Sequence, residues 1–293
     1  MARERRRPAR GSRRRNRREE KARKQLYQRS AVSAAAVMMA VGIGYVAMAQ
    51  MTAVRPGEDG CLPELSAHTV MLVDTSVVTS DQAQKRAVLS SFEEVFAALL
   101  PGERWTVITT ERGHYDAVGG NRFTLCKPDF ESSSPTYVDK VTKELYAETV
   151  SEPITEIVES FTNEDKRSRQ SPLLEILQST SQRPDFSARL GSRRLVLVSD
   201  MIQNTQIAQF CTTQGHLPSY PKFKALPAFA NIQPDSLQGV DVTLFMQVYP
   251  GAYGHPEGLP YCTENELREF WEAYFKDAGA ASVTIRRIEW SAV

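Results

Sequence analysis

Apolar positions along the chain fall into segments of two kinds. Residues 68–74 (His-Thr-Val-Met-Leu-Val-Asp) and 194–200 (Arg-Leu-Val-Leu-Val-Ser-Asp) are near-continuous apolar runs, each ending in an acid. Runs of this length and β-branched content predict strands covered on both faces. Runs at 104–110, 117–125, 240–248 and 283–290 predict four more strands, the second and third joined as a hairpin. Between them apolar residues recur at helical spacing. Leu89, Phe92, Phe96, Leu99 and Leu100 form a stripe on a helix over 80–100, with a Thr79/Gln82 capping box before it and Pro101-Gly102 after it. A helix over 137–161 should break or kink at Pro153, which has no N–H to donate. Ser171-Pro172 opens a short helix through Gln178. Leu267, Phe270, Trp271, Tyr274 and Phe275 line a helix over 264–278, started by a Thr263/Glu266 capping box and stopped by Gly279. Strands alternating with helices predict an α/β fold, a doubly wound, mainly parallel six-stranded sheet flanked by helices over 68–293.

One apolar segment lies outside this alternation. Residues 31–49 carry no charge, and as a helix they would span roughly 28 Å, close to the hydrocarbon thickness of a bilayer. They predict one transmembrane helix ahead of the domain, with 50–67, rich in Pro and Gly, as linker. Charge orients it. Residues 1–30 hold 14 of the 36 Lys/Arg and three acids, leaving 22 bases against 32 acids for the rest. A +11 tail before the segment keeps the N-terminus cytoplasmic and exports the acidic body. The chain thus reads as a single-pass signal-anchor protein of the inner membrane with a periplasmic domain. Ala47-Met48-Ala49 also fits a small-x-small cleavage site, the alternative of a removable signal. The tail suits anionic lipid headgroups better than nucleic acid, because Tyr27 is its only aromatic.

All four cysteines, Cys61, Cys126, Cys211 and Cys262, follow the membrane segment, and none forms a CxxC pair. An even count in an exported region predicts two disulfides rather than a zinc site.

In open α/β sheets ligands bind at the carboxyl ends of the strands, where strand order reverses. Three motifs converge there: Asp74-Thr75-Ser76 after the first strand, Ser171-Pro172 at a helix start, and Ser199-Asp200-Met201 after the fourth strand. Two carboxylates with two or three hydroxyls form a hard-oxygen donor set of the kind Mg²⁺ prefers. At these residues the sequence resembles the von Willebrand factor type A family. That family's metal-ion-dependent adhesion site has an Asp-x-Ser-x-Ser loop, a Thr on a second loop and an Asp after the fourth strand. The resemblance implies a Mg²⁺ site of Asp74, Ser76, Ser171 and Asp200, degenerate because Val78 stands where the second Ser of the loop falls. It also implies a protein partner in the envelope whose acidic group completes the cation's shell. The expected activity is therefore adhesion or protein binding, not catalysis. The alternatives are a phosphatase-like metal-dependent hydrolase and a structural scaffold with a non-functional site. There is no P-loop, no Gly-x-Gly-x-x-Gly and no Gly-x-Ser-x-Gly, and His68, His114, His216 and His255 are scattered. Two long stretches, 210–236 and 249–261, carry Pro and aromatics after the fourth and fifth strands and read as partner surface. Cys211 and Cys262 follow these neighbouring strands, so they are expected to pair, leaving Cys61 for Cys126.

Overall fold

A computed structural model describes residues 20–21, 23–24, 38–39, 41–44, 61, 67–76, 82–110, 121–127, 147–160, 170–212, 217–234, 236–247 and 262–288. The chain forms two units, 1–55 and 56–293. In the first, Met38, Met39 and 41–44 are helical, with Met38, Met39, Val41 and Ile43 each 65–71% exposed. The rest of the predicted membrane segment lies outside the described residues, and among those residues no helix is long and apolar enough to cross a membrane.

The second unit is a six-stranded sheet, β1 (Ala67–Val73), β2 (Arg104–Thr109), β3 (Asn121–Cys126), β4 (Ser192–Ser199), β5 (Val240–Gln247) and β6 (Ser282–Ile288). The strand order is β3-β2-β1-β4-β5-β6. All pairs are parallel except β2–β3, the expected hairpin. Period-two alternation splits the β1 side chains between two cores. Val70 and Leu72, with Leu195 and Leu197 of β4, pack against α3 (Leu173–Ser181) and α5 (Glu264–Asp277). Met71 and Val73, with Val196 and Val198, pack against α1 (Gln82–Ala98) and α2 (Glu152–Ser160). Helices thus cover both faces, which is why β1 and β4 read as unbroken apolar runs.

Three sequence expectations need correction. On α1 the buried stripe is Val88, Phe92 and Val95, continued by Leu99 just past its end, while Leu89 and Leu100 are exposed. The spacing i, i+4, i+7, i+11 holds a tighter seam than the stripe taken from the largest side chains. At Pro153 the helix does not break. A π-helical turn, Ala147–Ser151, runs directly into α2, where Pro153 occupies the first turn. The hydrogen-bonding pattern changes from π to α just before Pro153, which has no N–H to bond back to the preceding turn, so the proline marks an irregularity within a continuous helical run rather than a break. Residues 137–146 lie outside the described residues.

The third correction concerns the presumed partner surface after β4. Phe210, Tyr220, Phe223 and Phe229 are buried, stacked edge-to-face on one another and on Phe270 of α5. Tyr220 and Phe223 lie on the short α4 (Tyr220–Lys224). Aromatic burial of this kind is core, and this segment closes one face of the sheet. Its counterpart at 249–261 lies outside the described residues.

Two disulfides fasten the unit: Cys61–Cys126 and Cys211–Cys262, with Cα atoms 5.0 and 5.1 Å apart. The first ties the entering chain to the end of β3; the second ties the segment after β4 to the start of α5. His68, near the start of β1, is buried. Its Nδ1–H donates to the Asp185 carbonyl (2.7 Å) and its Nε2 accepts from Thr106 (2.9 Å). Burial lowers its pKa, so it is a neutral structural imidazole.

Candidate functional site

The order β3-β2-β1-β4-β5-β6 reverses between β1 and β4, and Asp74 and Asp200 follow those two strands. The ladder continues one residue beyond β1. Asp74 N–H donates to Val198 O (2.9 Å) and Thr110 N–H to Val73 O (3.2 Å). These bonds fix the Asp74 backbone between β4 on one side and the end of β2 on the other.

The Asp74 side chain is fully buried and takes four hydrogen bonds. Its Oδ1 accepts from Ser76 N–H (2.9 Å) and Thr110 Oγ1 (3.0 Å). Its Oδ2 accepts from Ser171 Oγ (2.6 Å) and Ser199 Oγ (2.8 Å). Four chain segments therefore converge on one carboxylate. Ser171 is brought there by a two-bond bridge between its backbone and Asn204, and Asn204 in turn pairs with Gln209 across a tight hairpin. Thr110 also accepts from Thr75 N–H (2.8 Å), and Ser199 from Met201 N–H (2.9 Å).

Asp200 stands beside this cluster, its carboxyl hydrogen-bonded to the Ser199 side chain. It is half-buried, and its Oδ1 accepts from Ile202 N–H (3.0 Å). Burial, reinforced by the negative charge of Asp74, pushes its carboxyl up to about 8. Met201 after it has φ 64°, a left-handed conformation that a β-carbon disfavours. Its carbonyl accepts from the Trp271 indole N–H (2.9 Å), and the next such residue, Cys211 (φ 59°), carries the disulfide to Cys262. α5, through Trp271, and Cys262 just before its N-cap thus hold the segment after β4 at both left-handed residues. Gln203 completes the frame. Its Oε1 accepts from Leu174 N–H at the start of α3, where Pro172 supplies no side-chain cap, and its Nε2 donates to Glu175.

All four predicted ligand positions therefore lie at the switch point, with unlike roles. Asp74, Ser171 and Ser199 are interior, whereas Ser76 and Asp200 reach the surface. Sequence reasoning missed Thr110 and Gln203 altogether and left Ser199 outside the ligand set. A polar residue just past a buried strand was the available signal at Thr110 and Ser199; Gln203 gave none. Beside this cluster the hairpin exposes Asn204, Gln206, Ile207 and Gln209, while Thr205 is held inward against Glu175 (2.6 Å).

The donor set does not fit a resident Mg²⁺. An ionised carboxylate offers about four lone-pair directions, and protein donors occupy all of them at Asp74. Neither a metal nor a metal-bound water has an oxygen of Asp74 left to engage. Among the described residues no group of three or more His, Cys, Asp or Glu converges.

No protein-family model matches this chain, and no curated protein sequence matches it. Among solved structures it is similar to an aerotolerance-related membrane protein from Bacteroides fragilis NCTC 9343, a crystal structure with multiple mutations to serines. The two share 13% identity over 75% of this chain and 90% of that one, with a TM-score of 0.30. At that score the likeness carries no weight, and the fold stands on the strand order and pairing given above.

Proposed function

We propose that this chain is a membrane-anchored protein–protein interaction module that meets its partner with the carboxyl edge of its sheet. The supporting observation is the switch point, where four segments are bound rigidly beneath a rim of half-buried Ser76 and Asp200 and exposed Asn204, Gln206 and Ile207. A rigid base under a polar rim with one exposed apolar side chain is what a recognition surface needs, since little ordering entropy is lost on binding. In this reading residues 31–49 cross the inner membrane, the basic tail stays cytoplasmic and the domain is periplasmic. The uncharged segment, the +11 tail and two disulfides support that topology. The likeness of Asp74, Ser76, Ser171 and Asp200 to an adhesion-type site supports binding as the activity.

The phosphatase-like alternative has no comparable support. Asp74 would be its nucleophile, yet the residue is buried and both its oxygens are engaged. The interaction reading is tested by co-purification of the full-length chain from its own membranes. Ile207→Arg and Asp200→Ala should each reduce recovery of a specific partner several-fold, and Glu272→Lys on the outer face of α5 should leave it unchanged. Equal recovery with all three variants would contradict the reading.

A further inference from the structure

We infer that Asp74 is a cation-independent keystone: the switch point holds its shape through protein hydrogen bonds alone, and recognition at this edge needs no divalent metal. The inference rests on the interaction reading only for the word recognition; the keystone role stands on geometry.

A cation can use a carboxylate in two ways, by direct coordination or through a bound water that donates to the oxygen. Both need an acceptor direction. Asp74 has spent its four on Ser76 N–H, Thr110 Oγ1, Ser171 Oγ and Ser199 Oγ. The donors are equally committed. The protons of Ser171 and Ser199 go to Oδ2, and Ser199 also accepts from Met201 N–H. Thr110 accepts from Thr75 N–H while donating to Oδ1. Ser171 and Ser199 are both buried, which keeps the lone pairs left on their oxygens from a hydrated ion. In sequence, Val78 removes the further hydroxyl that a cation loop of this kind would use.

The loop carrying the second carboxylate is likewise fixed by protein contacts. Met201 keeps its left-handed backbone because Ser199 accepts from its N–H and Trp271 donates to its carbonyl. Gln203 is locked between Leu174 N–H and Glu175. Positions that a bound ion would otherwise organise are already organised. The charge-assisted bonds to Asp74 supply the attraction that the ion would have supplied, in a water-excluded setting where they are strongest.

The test uses the full-length chain in detergent micelles, with unfolding followed by tryptophan fluorescence and Mn²⁺ binding by electron paramagnetic resonance. The midpoint should be the same in EDTA as in about 10 mM Mg²⁺. A millimolar site would instead raise it by about 3–5 °C at that concentration. Wild-type chain should leave the free Mn²⁺ signal undiminished. Asp74→Asn, isosteric but uncharged and with donors facing donors, should lower the midpoint by at least about 5 °C, equally with and without Mg²⁺. Should Asp74→Asn fail to fold, Ser171→Ala and Ser199→Ala each remove one donor and should show smaller, metal-insensitive losses. Saturable Mn²⁺ binding by wild type that Asp74→Asn or Asp200→Asn abolishes would overturn the inference. So would a midpoint unchanged in Asp74→Asn. Either result leaves the partner-recovery test of Ile207→Arg untouched, so failure of the keystone and failure of the interaction reading are distinguishable.

Discussion

At the scale of single residues, the two switch-point carboxylates divide the labour. Asp74 is buried with every acceptor direction filled, and its charge is solvated by hydroxyls and an amide rather than by water. Asp200 sits beside it, raised to about 8 by burial and by that charge, from an unfolded value near 3.8. The linkage follows from the sign of the shift. Between about pH 4 and pH 8 the folded state binds the Asp200 proton more tightly than the unfolded state does. Stability from this group is therefore complete below pH 4 and lost as pH rises through 8. Asp200→Asn should flatten that slope and gain on the order of 2 kcal/mol at pH 9, read from urea midpoints across pH. Parallel pH profiles for variant and wild type would contradict the assignment. A rim residue that keeps its proton at neutral pH can donate a hydrogen bond to a partner as well as accept one.

At the scale of elements, much was legible because the governing patterns are local. Continuous apolar runs ending in Asp marked β1 and β4, and the Thr263/Glu266 box that starts α5 has both reciprocal bonds, Thr263 N–H to Glu266 (2.7 Å) and Glu266 N–H to Thr263 (3.2 Å). What could not be read depends on neighbours distant in sequence. The same helical spacing is satisfied by Leu89 or by Val88, and only packing against Trp105 and β1 selects Val88, Phe92, Val95 and Leu99. The aromatics after β4 looked like binding surface because their partner, the stripe on α5, lies some 50 residues further on. Thr110 and Gln203 are ordinary polar residues until Asp74 and the uncapped start of α3 are placed beside them. The rotated helix face is open to measurement. Phe92→Ala should cost about 3–5 kcal/mol and Leu100→Gln within about 0.5, by equilibrium denaturation. Comparable losses at both positions would put the stripe where periodicity alone placed it. Trp271→Phe removes the donor to the strained Met201 peptide, and with the lost packing should cost about 1–3 kcal/mol without changing the fold's circular dichroism.

At the scale of the whole molecule, the design is a braced sheet whose carboxyl edge is left for contact. Cys61–Cys126 closes a loop of 65 residues and Cys211–Cys262 one of 51, so each bridge restricts the unfolded chain substantially. Replacing either pair with serines should lower stability by about 2–4 kcal/mol. The bridges also report topology. In membranes, a maleimide reagent should modify the cysteines only after reduction, whereas thiols reactive without reductant would place the domain on the cytoplasmic side. The central claim is that the edge bearing Ser76, Asp200 and the 204–209 hairpin is where a protein partner sits. Its most direct measurement is site-specific photocrosslinking in intact cells, with the probe at Ile207 and, in a second strain, at Glu272. The account predicts one discrete adduct from position 207, abolished by Asp200→Ala, and none from position 272. Adducts of equal yield from both positions, or none from 207 while 272 reacts, would contradict it.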